Sequence, residues 1–209
     1  MKISKNIHSC LTVEDQKKVI LIDPGRYGYS ELSLDLDKIS ALDYLLITHH
    51  HSDHMYIPFI KKIIDKFPDT KIISNIEVKE RLSKESILVS LEGNKFVNIE
   101  TLKHERSFDK DAPLNTIYTL FNRLAHSGDN LQYKNQTEVM TLPIDCGTWG
   151  NVTLAMEKLV EVKPKFILPI HDFRIKDEIR GDVYKRIQEY FKSFDITFLP
   201  MLPGDIISI

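Results

Sequence analysis

The chain has 209 residues, of which 42% are apolar and 28% charged, and a formal net charge of −2. A chain of this length can bury roughly 70% of its unfolded surface, which suits one continuous domain over residues 1–209. The near balance of acidic and basic residues argues against a polyanion binder, so a small-molecule substrate is expected rather than nucleic acid. A homo-oligomer stays open.

Three features of the sequence bear on cellular location. Cys10 and Cys146 are the only cysteines, too few for a disulfide framework, and both are expected to be reduced thiols. No stretch approaches the ~18 uninterrupted apolar residues of a membrane span. The first residues are not followed by the apolar segment of a secretory signal. The sequence therefore predicts a cytoplasmic protein without a membrane partner.

Predicted strands and a helix alternate along the first half of the chain. Strands are predicted at Ile7–Val13 and Lys17–Ile22, and the second meets a turn signal at Asp23-Pro24-Gly25. The apolar run Leu42–Ile47 is typical of a buried strand. A helix and a further strand follow it, over Ile57–Phe67 and Lys71–Ser74.

The second half has the same mixture of patterns. The stretch from Ser86 to Ala125 is β-rich, with candidate strands at Asn94–Leu102, Thr116–Asn122 and Arg123–Ala125. Helical spacing predicts two helices that flank an apolar strand, over Val152–Val162, Val183–Phe194 and Phe166–Ile170. A last strand is expected near the end. Strands and helices in both halves predict α/β layers.

A cluster of ionisable side chains follows the first buried strand. His49, His51, Asp53 and His54 form the pattern His-x-His-x-Asp-His. Residues two apart in an extended loop point the same way, so His49 and His51 can converge on one metal ion while His50 points elsewhere. Asp53 and His54 come where the chain turns into the helix, so they can reach a second metal position. The alternative is a merely solvated polar loop.

Three more candidate ligands follow later predicted strands. His104 ends the alternating stretch Phe96–Lys103, Asp129 lies in Ser127-Gly128-Asp129, and His171 ends the strand Phe166–Ile170. Each has a plain structural alternative: a surface histidine, a turn and a buried strand-end histidine. A carboxylate with two oxygens can bridge two cations, which is the functional alternative for Asp129.

The loop Thr48–His54 resembles the signature loop of the metallo-β-lactamase superfamily, which also follows a buried strand and precedes a helix. His104, Asp129 and His171 occur in the order of that family's remaining ligands. Ile20–Gly25 resembles its second strand and turn. The resemblance implies an α/β fold, the four-layer αβ/βα sandwich called the metallo-β-lactamase fold.

The resemblance also implies two metal ions per chain. His49, His51 and His104 would bind the first metal, Asp53, His54 and His171 the second, and Asp129 would bridge them. Zn²⁺ is expected because His51 stands where iron-binding relatives carry a glutamate, while Mn²⁺ or Fe²⁺ is the alternative. A metal lowers the pKa of its bound water to about 7, so a metal-dependent hydrolase is implied, with Asp53 and Asp129 as catalytic residues.

The spacing of the motifs narrows the branch of the family. Only 41 residues separate Asp129 from His171 and 38 follow it, which leaves no room for an inserted nuclease domain or a helical substrate domain. Leu168–His171 resembles the compact branch that contains ascorbate-phosphate lactonases, so a small ester, lactone or amide is the expected substrate. The alternatives are a phosphodiesterase acting on a small phosphate ester or short nucleic acid, and a catalytically inactive metal-binding regulatory module.

Several residues near these motifs keep an open role. Asn130 follows the aspartate where a threonine or serine often stands in the family, and Asp145–Gly150 does not match a known version of the pattern. Neither spacing nor resemblance assigns His50, His126, Cys146 or Trp149. His8 is placed in the first predicted strand and interpreted as structural.

Overall fold

The computed structural model describes residues 1–31, 33–105, 112–134, 136–147 and 149–209. The chain forms two compact units, Met1–Lys95 with Leu202–Ile209 (unit 1) and Phe96–Met201 (unit 2). The single continuous domain over residues 1–209 stays a prediction. Part of the β-rich stretch Ser86–Ala125, at residues 106–111, lies outside the described residues. Within the described ranges, no helix combines the length and apolarity that crossing a bilayer requires.

Unit 1 contains a six-stranded sheet with the order β12-β1-β2-β3-β4-β5. Its strands are β1 (Lys2–Ile7), β2 (Cys10–Asp15), β3 (Lys18–Ile22), β4 (Tyr44–Leu46), β5 (Lys71–Ile73) and β12 (Ile206–Ser208). The pairs from β12 to β3 are antiparallel, and β3, β4 and β5 are parallel. The central strands are buried on both faces, as their continuous apolar runs predict.

Helices connect the parallel strands of unit 1. They are α1 (Arg26–Ser30), a short 3-10 helix (Leu36–Lys38), α2 (Ile57–Lys66) and α3 (Ile76–Ser83). Phe59, Ile60 and Ile63 form the buried face of α2, at the spacing that brings helical residues onto one side. Asn75 caps α3 by accepting a hydrogen bond from the backbone N–H of Val78 at 3.2 Å.

Unit 2 contains a second six-stranded sheet with the order β11-β10-β9-β8-β7-β6. Its strands are β6 (Val97–Lys103), β7 (Leu114–Leu120), β8 (Leu124–His126), β9 (Val139–Pro143), β10 (Phe166–Ile170) and β11 (Thr197–Phe198). Strands β8 to β11 are parallel, while β6, β7 and β8 pair antiparallel. Each sheet is therefore mixed, with three antiparallel and two parallel pairs in unit 1 and the reverse in unit 2.

Two helices cover the core of unit 2. They are α4 (Val152–Val162) and α5 (Asp177–Lys192). Their buried side chains join the apolar residues of β9 and β10 in one cluster that includes Leu142, Leu159, Ile167, Tyr184 and Phe191. Asn151 begins α4, because its side chain accepts from the backbone N–H groups of Thr153 and Leu154.

The predicted mixture of strands and helices is confirmed, and α4 has the predicted bounds. The predicted strand Ile7–Val13 is wrong, because a turn at His8 and Ser9 divides it into the ends of β1 and β2. Helix α5 begins six residues before the predicted Val183. Helices α1 and α3 and strand β9 were not predicted, and two strands, β11 and β12, follow α5 where one was predicted.

The strand directions decide where polar side chains gather. Within unit 1, β3 and β4 are parallel neighbours, so Asp23 and Thr48 follow them at the same edge of the sheet. Within unit 2, β6, β8 and β10 run in one direction, and His104, Asp129 and His171 lie just beyond their ends. Loops beyond the carboxyl ends of parallel strands are where α/β proteins place their sites.

Candidate metal centre

The histidine loop, Thr48–His54, lies between β4 and α2 in unit 1. His49 is fully buried, and its Nε2 lies 3.0 Å from Nδ1 of His51. The ring of His54 packs against that of His49 with 4.0 Å between the ring centroids. The loop is a turn in which the backbone N–H of His54 donates to the carbonyl of His51 at 3.0 Å. The rings of His49, His51 and His54 therefore lie close together in one short loop.

Asp23 and Thr48 orient two of these rings. The buried Asp23 carboxylate accepts from the backbone N–H of Thr48 at 2.8 Å and from its hydroxyl at 2.9 Å. Oδ2 of Asp23 also lies 2.7 Å from Nδ1 of His54, and Oγ1 of Thr48 lies 3.0 Å from Nδ1 of His49. An acceptor at Nδ1 selects the tautomer whose Nε2 carries the lone pair, which is the atom a metal binds.

The chain around the histidine loop is closely packed. A Cβ on Gly25 would lie 1.7 Å from the carbonyl oxygen of Asp53, so only glycine fits where the turn after β3 passes this loop. The backbone N–H of Arg26 donates to the carbonyl of Ser52 at 2.7 Å. His50 is turned toward α3, with its Nδ1 3.4 Å from Oε2 of Glu77, as the alternation of an extended loop predicts.

Asp129 lies between two histidines in unit 2. Its Oδ2 is 3.1 Å from Nε2 of His104, and its Oδ1 is 2.6 Å from Nε2 of His171. All three side chains are buried. Each oxygen of one carboxylate thus faces a different imidazole nitrogen, which is the arrangement expected of a carboxylate that bridges two cations.

Backbone groups and one amide hold this His104–Asp129–His171 cluster. Nδ1 of His104 donates to the carbonyl of Glu105 at 2.6 Å, which leaves the lone pair on Nε2. Asn115 accepts from the backbone N–H of Asp129 at 3.0 Å and donates to the carbonyl of Ser127 at 2.9 Å. His171 has a left-handed φ of 59° directly after β10, which re-aims its side chain beyond the strand end.

Trp149 and His126, whose roles the sequence leaves unassigned, lie at different places in unit 2. Trp149 meets the rings of His104 and His171 edge-on, with centroid distances of 5.4 and 5.5 Å. It therefore supplies an apolar wall beside two candidate ligands. Nδ1 of His126 accepts from the backbone N–H of Gly128 at 3.2 Å, so this histidine supports the turn that presents Asp129.

Cys146 is buried and follows β9 closely. Burial, followed by the negative charge of Asp129, raises the pKa of its thiol to about 12. Burial likewise raises the pKa of the Cys10 thiol to about 12. Both cysteines are therefore neutral thiols in the protein without metal, and neither is poised as a nucleophile.

Two residues near the histidine loop were missed by the sequence analysis. Asp23 was interpreted only as part of a turn signal, because the sequence does not show that β3 and β4 are parallel neighbours. His8 was placed in a strand, but it lies in the β1–β2 turn with its Nε2 3.2 Å from Oδ2 of Asp53. Nothing in the local pattern around His8 signals this contact.

The residues present fit a metal centre by their donor chemistry. Imidazole nitrogen and carboxylate oxygen are ligands of Zn²⁺, and His49, His54 and His104 have Nδ1 oriented by an oxygen atom, as metal-binding histidines do. The candidate ligands of unit 1 are His49, His51, Asp53 and His54, and those of unit 2 are His104, Asp129 and His171. Within unit 1, His8 and His54 have ring nitrogens within 4.8 Å of each other.

Comparison with known proteins gives one family and a consistent set of relatives. The chain matches the family model described as "Beta-lactamase superfamily domain" over residues 2–171. A UPF0173 protein of Pyrococcus furiosus is 27% identical over 183 residues, which cover 82% of this chain and 83% of the relative. A UPF0173 metal-dependent hydrolase of Nanoarchaeum equitans is 26% identical over 208 residues, covering 88% and 89% of the two chains.

A solved structure shows the same fold. The metallo-β-lactamase fold protein YhfI of Bacillus subtilis aligns with a TM-score of 0.71 at 14% sequence identity, covering 99% of this chain and 98% of that protein. This similarity confirms the predicted fold class.

Proposed function

Because the chain belongs to the metallo-β-lactamase superfamily as a metal-dependent hydrolase, we propose that it cleaves a small ester, lactone or amide with two bound metal ions. The observation that carries this proposal is the Asp129 carboxylate, which offers one oxygen toward His104 and the other toward His171. A buried carboxylate shared in this way suits a dinuclear centre better than a single metal.

The proposed ligand roles follow the family order. His49, His51 and His104 bind the first metal, Asp53, His54 and His171 bind the second, and Asp129 bridges them. The support comes from the oxygen atoms that fix the second ring nitrogen of His49, His54 and His104. Zn²⁺ is proposed because three imidazoles at the first position suit it, and Mn²⁺ or Fe²⁺ is the competing occupant.

The two ions would supply a water nucleophile that ionises near neutral pH and positive charge for the oxygen that becomes negative. The chain's own residues do the remaining work. Asp53 is partly exposed, so it can pass a proton between solvent and the leaving group. Trp149 packs edge-on beside His104 and His171, and its apolar ring limits water on that side.

The acyl substrate class is the least constrained part of the proposal. A net charge of −2 gives no general attraction for a polyanionic substrate, which favours a small acyl compound over nucleic acid. The similarity of the Leu168–His171 segment to lactonase-like proteins supports a lactone within that class.

Hydrolysis panels test the proposal. The zinc-reconstituted protein is expected to cleave members of a panel of small esters, lactones and amides, and Asp129→Asn is expected to lower kcat/KM at least about 100-fold, since even outer partners of metal ligands cost about 10–100-fold. Asp182→Asn, an exposed aspartate on α5, is the matched control and should keep full activity. Cleavage of phosphodiesters alone would reassign the substrate. No hydrolysis with zinc or manganese would favour the regulatory module.

A further inference from the structure

His8 occupies a position that costs the backbone free energy. It is the first residue of the turn between β1 and β2, and its φ of 54° is in the left-handed region. A residue with a Cβ pays for that conformation, whereas glycine does not. The side chain is nevertheless buried, with 2% of its surface exposed. A buried imidazole on a residue with a left-handed φ indicates a role for the ring itself.

The His8 ring contacts two of the proposed ligands of the second metal, both in unit 1. Nε2 of His8 is 3.2 Å from Oδ2 of Asp53, and the rings of His8 and His54 meet edge-on with 5.8 Å between centroids. Tyr27 also packs edge-on against the His8 ring, with 5.2 Å between the ring centroids. The same Asp53 oxygen lies 4.0 Å from Nε2 of His54. His8 therefore contacts the one candidate ligand of this loop that is a carboxylate.

We propose that His8 is a positioning residue for Asp53, donating its Nε2–H to Oδ2 of the carboxylate. An ionised carboxylate can only accept a hydrogen bond, so the proton belongs to the imidazole. The bond fixes one carboxylate oxygen and so sets the direction of the other toward the second metal. The inference rests on the proposed function, because it takes Asp53 as a ligand.

Fixing Asp53 matters because its side chain is more exposed than two other candidate ligands of the loop. The side chain is 29% exposed, whereas His49 and His54 are fully buried. A partly exposed carboxylate loses rotamer freedom when it binds a metal, and a buried donor that holds the rotamer beforehand reduces that cost. His8 would therefore raise the affinity of the second metal without touching it.

Metal titration separates positioning from direct ligation. His8→Leu removes the donor, and His8→Gln keeps an N–H near the place of Nε2. We expect His8→Leu to weaken the second metal on the order of 10–100-fold, as loss of an outer partner does, and His8→Gln to restore most of that affinity. Thr12→Val is the matched control, because it removes a buried hydrogen bond of the same hairpin, the 2.9 Å bond from Asn6. It should leave both affinities unchanged.

Two titration results would overturn the proposal. Unchanged affinity in His8→Leu would show that Asp53 needs no support, and equal loss in His8→Leu and His8→Gln would show that the ring binds the metal directly.

Nitrogen-15 NMR of the wild-type ring in the metal-free protein tests the same hydrogen bond without metal or variants of His8. A proton on Nε2 whose resonance shifts in Asp53→Ala supports the proposal. A neutral ring protonated only at Nδ1 contradicts it. Because this spectrum needs no metal, it tests the hydrogen bond between His8 and Asp53 separately from the proposed function, which a chain that binds no metal would refute.

Discussion

At the scale of single residues, Asp23 does more for the histidine loop than its place in a turn suggests. It is buried, adopts a left-handed φ of 48°, and accepts hydrogen bonds from the backbone and hydroxyl of Thr48. Its contact with His54 selects the ring tautomer that can bind a metal. One carboxylate thus couples the end of β3 to the orientation of a candidate ligand.

Asp23→Asn tests this coupling. The amide can still accept from Thr48, but its NH₂ group meets Nδ1–H of His54, so the ring must move its proton to Nε2 or turn away. We expect zinc affinity to fall on the order of 10–100-fold, measured by competition with a chromophoric chelator. Asp43→Asn is the matched control, since Asp43 accepts from the backbone N–H of Val19 and pairs with Lys18 beside the start of the same strand. Equal affinity in wild type and Asp23→Asn would refute the orienting role.

The sequence singles out the candidate ligands because polar side chains at the ends of apolar runs are a local signal, and their metal-binding role stays a prediction. Asp23 and His8 could not be predicted in the same way. Their partners Thr48, His54 and Asp53 are 25 to 45 residues away along the chain. Which strand lies beside which is set by the sheet as a whole, and no local pattern records it.

At the scale of secondary-structure elements, left-handed residues recur where strands deliver candidate ligands. Gly128 and His171 have φ values of 55° and 59°, just after β8 and β10. Such a residue ends the strand direction abruptly. At Gly128 the turn places the side chain of the next residue, Asp129, beyond the strand end, and at His171 it re-aims the side chain of that residue itself. Glycine signals this in a sequence, but histidine rarely does, so the geometry at His171 could not be predicted.

The predicted helix bounds are correct where apolar residues recur at helical spacing along the whole helix, and they are wrong where the first turn is mostly polar. Helix α4 has the predicted bounds Val152–Val162. Helix α5 begins at Asp177 because its first turn is exposed and acidic, with Asp177 and Glu178 favourably placed at the positive end of the helix dipole. Apolar periodicity does not report such a turn.

Helix α4 offers a test of backbone strain at its end. Lys163 closes the helix with a φ of 55°. Lys163→Gly is expected to stabilise the protein by about 1 kcal/mol, because glycine adopts this conformation without the Cβ penalty. That corresponds to a rise in Tm of about 2–4 °C by calorimetry. Glu157→Gly, in the exposed middle of the same helix, should lower Tm instead. A lower Tm for Lys163→Gly would contradict the assignment of strain.

At the scale of the whole molecule, both units place their candidate metal ligands in the same way. Each has one mixed six-stranded sheet, and each has candidate metal ligands beyond the ends of strands. The mixed α/β class could be predicted from alternating patterns, whereas the division into two units could not, because no linker or change in composition marks residue 95 or 202. The pairing of β12 with β1 joins the C-terminal strand to the sheet of unit 1.

In the proposed function, seven side chains together hold two metal ions. Elemental analysis of the purified chain after zinc loading and dialysis, checked by native mass spectrometry, tests it most directly. We predict close to two zinc ions per folded chain, with clearly fewer in Asp129→Asn. A folded wild-type chain that retains one ion or none would contradict the dinuclear centre.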